Sequence, residues 1–300
     1  MPETDTTAGS VPARELTALP GLPGLYARAV LPKPRRTAPP AGAVAVSLRA
    51  VPADPERLRR YRDVCGHPEV DAERLPAAYP HLTAFPLSMA LMTAREFPLP
   101  VLGLVHLTNR IEQLRPIAPD AALDHLVRAT APRRHSKGQV FEIVAEARPT
   151  GAAELVWRSV STYLHRGPGE GQGARSVDED LPQPPELDEE WALPADLGRR
   201  YGAVSGDRNP IHLHPLTARL FGFPRAIAHG MWSKARALAG LERHAPLPDA
   251  FTVGVDFRRP LLLPGAARLT AARVGADGWA FQLTDPGGDH RHLLGRLTPN

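Results

Sequence analysis

One cysteine, Cys65, stands in 300 residues. No intrachain disulfide can form, and so sparing a use of cysteine fits a reducing compartment. Lysine is almost as rare: Lys33, Lys137 and Lys234 are the only three among 36 cationic residues, so arginine carries nearly all the positive charge. The net charge is only +4, and the arginines are scattered along the chain. That excludes the basic footprint of a nucleic-acid-binding protein, while leaving single arginines to meet an anionic substrate such as a nucleotide phosphate. No apolar run approaches the ~18 residues that span a membrane. The opening MPETDTTAGSVPAREL has neither the basic start nor the apolar core of a signal peptide. A phosphate loop, a nucleophile elbow and a dinucleotide fingerprint are all missing. Together these absences describe a soluble cytoplasmic protein with no nucleic-acid partner and no membrane span.

What is present is an ordinary globular balance, 43% hydrophobic and 23% charged, at a length that suggests about two domains. Residues 1–40, rich in Pro, Gly and Thr, read as an irregular arm. AGAVAVSLRAV reads as a strand, and DPERLRRYRDVCG as a short helix with Asp54 as its N-cap. A helix is expected near Pro86 to Glu96, apolar on nearly every side and therefore buried. LPVLGLVHLTNRIEQLRPI and the stretches that follow supply strands. Gly167 to Glu190, Gly/Pro-rich and acidic without an apolar pattern, reads as a linker.

The second half repeats the order. HGMWSKARALAGLERH reads as a helix, DAFTVGVDFRRPLLLPG and ARLTAARVG as strands, and the end of the chain as a hairpin turning at Asp285 to Gly288. This cadence is a weak internal repeat of about half the chain. A long helix followed by antiparallel strands, twice, is α+β rather than βαβ. The expected division is an arm at 1–40, an N-terminal domain at 41–166, a linker at 167–190 and a C-terminal domain at 191–300.

The stretch SGDRNPIHLHP, Ser205 to Pro215, packs an Asp, an Asn and two His into eleven residues. Three readings fit it. As a plain turn, Asp207, Asn209 and Pro210 are good loop formers ahead of a short helix stopped by Gly222. As a metal site, His212 and His214 would share a face if the segment were a strand, and would join Asp207 and His229 in an N/O set. Pro215 and the absence of a Cys pair or His-Glu-x-x-His count against that. As an acid–base centre, a carboxylate and an imidazole five residues apart, held by an Asn-Pro turn, converge on one water. AIAHGMW then puts Gly230 at the start of a buried helix. There its N–H, helped by the helix dipole, receives a carbonyl oxygen, and no side chain blocks the substrate.

YGAVSGDRNPIHLHPLTARLFGFPRAIAHGM resembles the MaoC-like, (R)-specific enoyl-CoA hydratases and 3-hydroxyacyl-thioester dehydratases. The shared pattern is Ser/Thr-Gly-Asp-x-Asn-Pro-x-His, an Ala-rich turn, then Ile-x-His-Gly-Met. AAYPHLTAFPLSMALM and the linker resemble the members whose N-terminal half has lost the catalytic motif. The resemblance implies an α+β fold of two tandem hot-dog domains, a pseudo-dimeric double hot dog with a long central helix wrapped by an antiparallel sheet in each. It implies reversible hydration of a trans-2-enoyl thioester, on CoA or a carrier protein, to the (R)-3-hydroxyacyl thioester, with no metal and no redox cofactor. Asp207 and His212 would hold the water and move its protons, and the Gly230 N–H would polarise the thioester carbonyl.

Ser205, Asn209, His229, Met231 and Phe85 are expected to shape the substrate site. Ser205 and Asn209 would do so by folding the loop, and His229 through a hydrogen bond at the helix entry. The acyl chain is expected to run past Phe85 and Met89. His214, where many relatives carry Asp, is read as a loop or surface residue, and His81 as a packed or loop histidine. Arg258 and Arg259 are read as exposed structural cations, with phosphate contact as the other option. Two hot dogs complete a pair within one chain, so a monomer and a homodimer both fit. A hot-dog acyl-CoA thioesterase and a non-catalytic acyl-thioester-binding protein are the alternative functions. Acyl chain length and pathway stay open.

Overall fold

The computed structural model describes residues 13–30, 45–68, 73–169, 181 and 183–300. Much of the expected arm and linker therefore lies outside the described residues. What is described of the arm is not irregular. It holds a two-residue strand, β1 (Arg14–Glu15), and a helix, α1 (Leu22–Ala29). Pro23 sits in the first turn, where a missing N–H costs nothing, and Leu25 and Ala29 face inward. Eight residues carrying a Pro and a Gly leave little periodic signal, and packing decides the conformation.

β2 (Ala45–Val51) leads to α2 (Pro55–Cys65). The Asp54 carboxylate caps α2, accepting from the Arg57 N–H at 2.6 Å, and Gly66 closes it in the left-handed region at φ 69°. The apolar helix α3 runs Tyr79–Met92, not Pro86 to Glu96. Pro86 lies inside it, so the Leu82 carbonyl loses its usual intrahelical donor. Arg57 Nη2 donates to that carbonyl instead, at 3.3 Å. A long-range guanidinium thus lets the helix continue through a residue that reads locally as a start.

β3 (Leu104–Gln113), β4 (Leu123–Ala129), β5 (Arg133–His135), β6 (Gly138–Pro149) and β7 (Trp157–Arg166) complete the first half. β8 (Leu187–Leu193) begins inside the expected linker. Its Leu187, Trp191 and Leu193 are buried, while Asp188 faces out and accepts from Arg268 Nε at 2.7 Å. The acidic residues that resemble a linker are the solvent side of an edge strand. Then come α4 (Leu197–Ser205), α5 (Pro210–Leu213), α6 (Pro215–Leu220), α7 (Gly230–His244), β9 (Phe251–Phe257), β10 (Gly265–Val274), β11 (Gly278–Thr284) and β12 (Arg291–Pro299).

The strands form a sheet ordered β1-β2-β4-β6-β7-β3-β9-β12-β11-β10-β8, with β5 paired to β6. β2-β4-β6-β7-β3 and β8-β10-β11-β12-β9 are the same walk taken twice from opposite edges, so the internal repeat is visible as topology. α3 packs on the first walk and α7 on the second. The walks meet where β3 pairs antiparallel with β9, from Thr108 opposite Asp256 to Gln113 opposite Phe251. Lys234, on α7 and fully buried, reaches this joint. Its Nζ donates to Asn109 Oδ1 at 2.6 Å, the Val253 carbonyl at 3.0 Å and the Asn109 carbonyl at 3.2 Å. Among the described residues, no helix is long and apolar enough to cross a membrane.

Candidate active site

A cleft of about 540 Å³ opens between the two halves. Every residue of α3 is buried except His81 and Phe85, and both of those line it. His81 is thus neither packed away nor in a loop. It is a cleft imidazole, pulled down to about 4 by burial and by the nearby Lys234 charge. Met89 belongs to the core and does not line the cleft: it follows His81 and Phe85 on the same face of α3, one turn beyond the stretch that borders the cleft. Met231 and Phe257 line the cleft from the other half. Arg166 and Arg259 mark its exposed edge. Arg258 also lines it and pairs with Asp256 at 3.6 Å.

α4, the loop that follows it and α5 place the polar residues. α4 ends at Gly206, whose φ of 81° turns the chain into the loop. Gly198, two turns earlier, lies so close to the loop that a Cβ there would fall 1.9 Å from the His212 carbonyl oxygen. The Gly198/Gly202/Gly206 spacing is a sequence signal that the motif reading passed over. Gly198→Ala should displace the His212 backbone and lower kcat/KM for the reaction proposed below by about 100-fold, with the helical circular dichroism retained. Unchanged turnover in that variant would show that the contact is not a functional constraint. Arg57, from α2, steadies the same corner: its Nε donates to the Val204 carbonyl at 2.6 Å and its Nη2 to the Ser205 carbonyl at 3.2 Å. These are carbonyls that the end of α4 leaves unpaired.

Within the loop, Ser205 Oγ accepts from the Asp207 N–H at 3.1 Å. Asn209 is the N-cap of α5, its Oδ1 accepting from the Ile211 N–H at 3.4 Å, while its own N–H donates to Asp207 Oδ1 at 3.1 Å. His212, on α5, is buried, and its Nδ1 donates to the Ile227 carbonyl at 2.8 Å. A carbonyl only accepts, so the proton is on Nδ1 and Nε2 carries the lone pair. His214 parts from its neighbour. It faces solvent as the N-cap of α6, its Nδ1 accepting from the Leu216 N–H at 3.1 Å.

His229 does not hold the helix entry: its side chain makes no cap bond to α7. Its Nε2 donates instead to the Asp207 carbonyl at 2.9 Å, and its ring stacks on His212 with centroids 3.7 Å apart. Asp207, His212 and His229 each offer an N or O atom within 4.8 Å of the others. The His229 nitrogen facing the carboxylate, Nε2 at 4.0 Å from Oδ2, is the one donating to the carbonyl, so it has no lone pair for a metal.

Burial alone would raise the Asp207 carboxyl. The imidazoles of His229 and His212 and the hydrogen bonds from Asn209 and Tyr26 outweigh it, and the group is held below the usual carboxylate range. Burial lowers His212, against the opposing pull of Asp207, and lowers His229 to about 3. The resting pair is a carboxylate beside a neutral imidazole. The first N–H of α7 belongs to Gly230, ahead of any intrahelical partner and at the positive end of the helix dipole. A Cβ at Gly230 would lie 2.9 Å from Phe257 Cε1, so glycine is what lets that ring lie across the helix end.

Tyr26, like Arg57, is a residue at the site to which the sequence gives no local signal. Its hydroxyl, from α1, lies 3.2 Å from Asp207 Oδ1 and from the Gly206 carbonyl, and accepts from the Arg208 N–H at 2.6 Å. Nothing in the local sequence ties residue 26 to a loop some 180 positions away.

The sequence matches the family model described as a MaoC like domain over residues 178–285. It is 36% identical to 3-hydroxyacyl-thioester dehydratase X of Mycobacterium tuberculosis over 255 residues, which covers 83% of this chain and 86% of that protein. The crystal structure of HtdX from the same organism aligns with a TM-score of 0.73 at 34% identity, covering 85% of this chain and 100% of that one. The peroxisomal enoyl-CoA hydratase 2 of Arabidopsis thaliana is 28% identical over 46% of this chain and 48% of its own length.

Proposed function

Because the chain belongs to the MaoC-like dehydratase family, we propose that it is a hydro-lyase that interconverts trans-2-enoyl and (R)-3-hydroxyacyl thioesters. The observation that carries this reading is the convergence on one cleft of the Asp207 carboxylate, the lone pair of His212 Nε2 and the Gly230 N–H. The fold is a double hot dog, and its N-terminal half shapes the cleft through His81 and Phe85.

In the hydration direction the thioester carbonyl oxygen accepts from the Gly230 N–H. This draws electron density off the double bond and stabilises the enolate that forms. The water lies between Asp207 and His212. His212 Nε2 takes one proton as the oxygen bonds to C3, and Asp207 accepts a hydrogen bond from the other O–H. The imidazolium, stabilised by the neighbouring carboxylate, then returns its proton to C2. The enolate collapses to the carbonyl, and the product carries both hydrogens of the water. Dehydration is the same path reversed. Delivery from one side of the bound substrate accounts for a single stereochemical outcome. Arg166, Arg258 and Arg259 give the cleft edge a positive rim for a phosphate, which CoA and the phosphopantetheine of a carrier protein share.

A series of trans-2-enoyl-CoAs of rising chain length tests this. The expected result is loss of enoyl absorbance without release of free CoA, and a product of (R) configuration throughout. Release of free CoA together with an acid that keeps its C2–C3 double bond would identify a thioesterase instead. Tight binding without turnover at every length would leave only an acyl-thioester-binding role.

A further inference from the structure

The two oxygens of the Asp207 carboxylate are not equivalent. Oδ1 faces the Asn209 N–H at 3.1 Å and the Tyr26 hydroxyl at 3.2 Å. Oδ2 takes no hydrogen bond from the described residues and lies 4.0 Å from His229 Nε2. The Tyr26 oxygen is itself held, because it accepts from the Arg208 N–H at 2.6 Å. One phenol therefore spans the three residues around the bend that aims the carboxylate, its oxygen accepting from Arg208 and its single proton shared between the Gly206 carbonyl and Asp207 Oδ1.

α1 is seated to do this. Leu25 and Ala29 anchor it in the core. Leu22 presses on the bend itself: a Cβ on Gly206 would fall 2.5 Å from Leu22 Cδ1 and 3.8 Å from Phe85 Cδ1. The bend thus lacks a side chain where α1 and α3 close over it. The mechanism above uses none of these contacts.

We propose that Tyr26 is a positioning residue for the hydration chemistry: its hydroxyl fixes Asp207 Oδ1, so that Oδ2 alone is presented to the reacting water. The proposal rests on the hydro-lyase reading, and it makes the segment before the first hot dog part of the active site of the second. Without the hydroxyl, the carboxylate loses one of two donors to its charged form and rotates more freely about its terminal torsion.

Among the described residues, the titratable groups coupled to Asp207 are Tyr26 on α1, His81 on α3, His106 on β3, Tyr163 on β7, Tyr201 on α4, His212 on α5 and His229 ahead of α7, and the Arg208 charge acts on the Tyr26 hydroxyl. Burial holds the imidazoles down and the phenols up, so these groups are neutral near pH 7. Removing the Tyr26 hydroxyl removes a stabiliser of the anion, so the sign is upward for the Asp207 pKa. The acidic limb of the pH–rate profile moves up with it.

The test is Tyr26→Phe in the full-length protein, which keeps the ring and its packing. The first readout needs no substrate: the Asp207 carboxyl carbon is titrated by ¹³C NMR, and its midpoint is expected to rise by about one unit. The second is hydration of trans-2-butenoyl-CoA, with kcat expected to fall about tenfold, KM nearly unchanged and the acidic limb shifted up. A purely structural role for Tyr26 would lower the melting temperature and leave both titrations where they are. An unmoved Asp207 midpoint overturns the inference, whether or not the enzyme turns over. A wild-type protein that hydrates no enoyl thioester overturns the reading beneath it, and the NMR titration then decides the role of Tyr26 by itself.

Discussion

Asp207→Ala and His212→Ala should each hydrate trans-2-butenoyl-CoA about a thousandfold more slowly than the parent protein, or worse, while unfolding at a similar temperature. The size follows from what each group supplies. His212 Nε2 is the only lone pair on that ring, because Nδ1 is spent on the Ile227 carbonyl. Its loss leaves no group to carry the proton from water to C2. Asp207 orients the water and offsets the imidazolium charge in a site where burial penalises that charge. The two losses should not add in the double variant, since both groups act on one water. Turnover near normal in both single variants would remove the assignment. The fold should survive either change, because the bend is held largely by main-chain groups, Tyr26, Arg57 and Ser205.

The second large effect is on stability. Lys234→Ala should cost about 3–5 kcal/mol in urea unfolding, through the cavity left behind and three acceptors stripped of their donor. The three Nζ contacts, at 2.6, 3.0 and 3.2 Å, match the three protons of an ammonium group. Burial pulls this lysine well below its ordinary pKa, with Arg110 adding to the pull. The Asn109 amide that receives it donates onward to Ser159 Oγ at 2.9 Å and Ser161 Oγ at 3.0 Å. The chain of polar groups therefore runs from α7 through the β3–β9 joint to β7. Lys234→Met, which restores most of the volume, separates the two contributions: it should recover the cavity part and still lose about 2 kcal/mol. A Met variant as stable as the parent would show that packing alone joins the halves.

The motif was legible because its residues are close in sequence and chemically unusual together. An Asx-turn, a carboxylate and an imidazole in one short loop, followed by glycine at a helix start, need few long-range contacts to recognise. The same holds for the Asp54 cap, the α7 helix and the closing hairpin. His212 and His214 show the limit. Two residues apart, they would share a face only on a strand; α5 ends between them, burying the first and exposing the second as the N-cap of α6. Pro86 misleads in the same way, because a distant guanidinium answers the carbonyl that a helical proline orphans.

By itself the sequence determined the fold class, the repeated half, the Ser205–Pro215 motif and the helix that starts at Gly230. Each of these is written in local periodicity or in a contiguous motif. Only the tertiary structure decided which groups surround that loop. Tyr26, Arg57 and His81 come from the half without the motif, brought to the site by the pairing of β3 with β9 and the packing of α1, α2 and α3. It also decided that His229 serves Asp207 rather than its own helix. Such contacts join residues 22 to 182 positions apart. Their partners are chosen by how the two halves of the sheet meet, which no short stretch of sequence encodes.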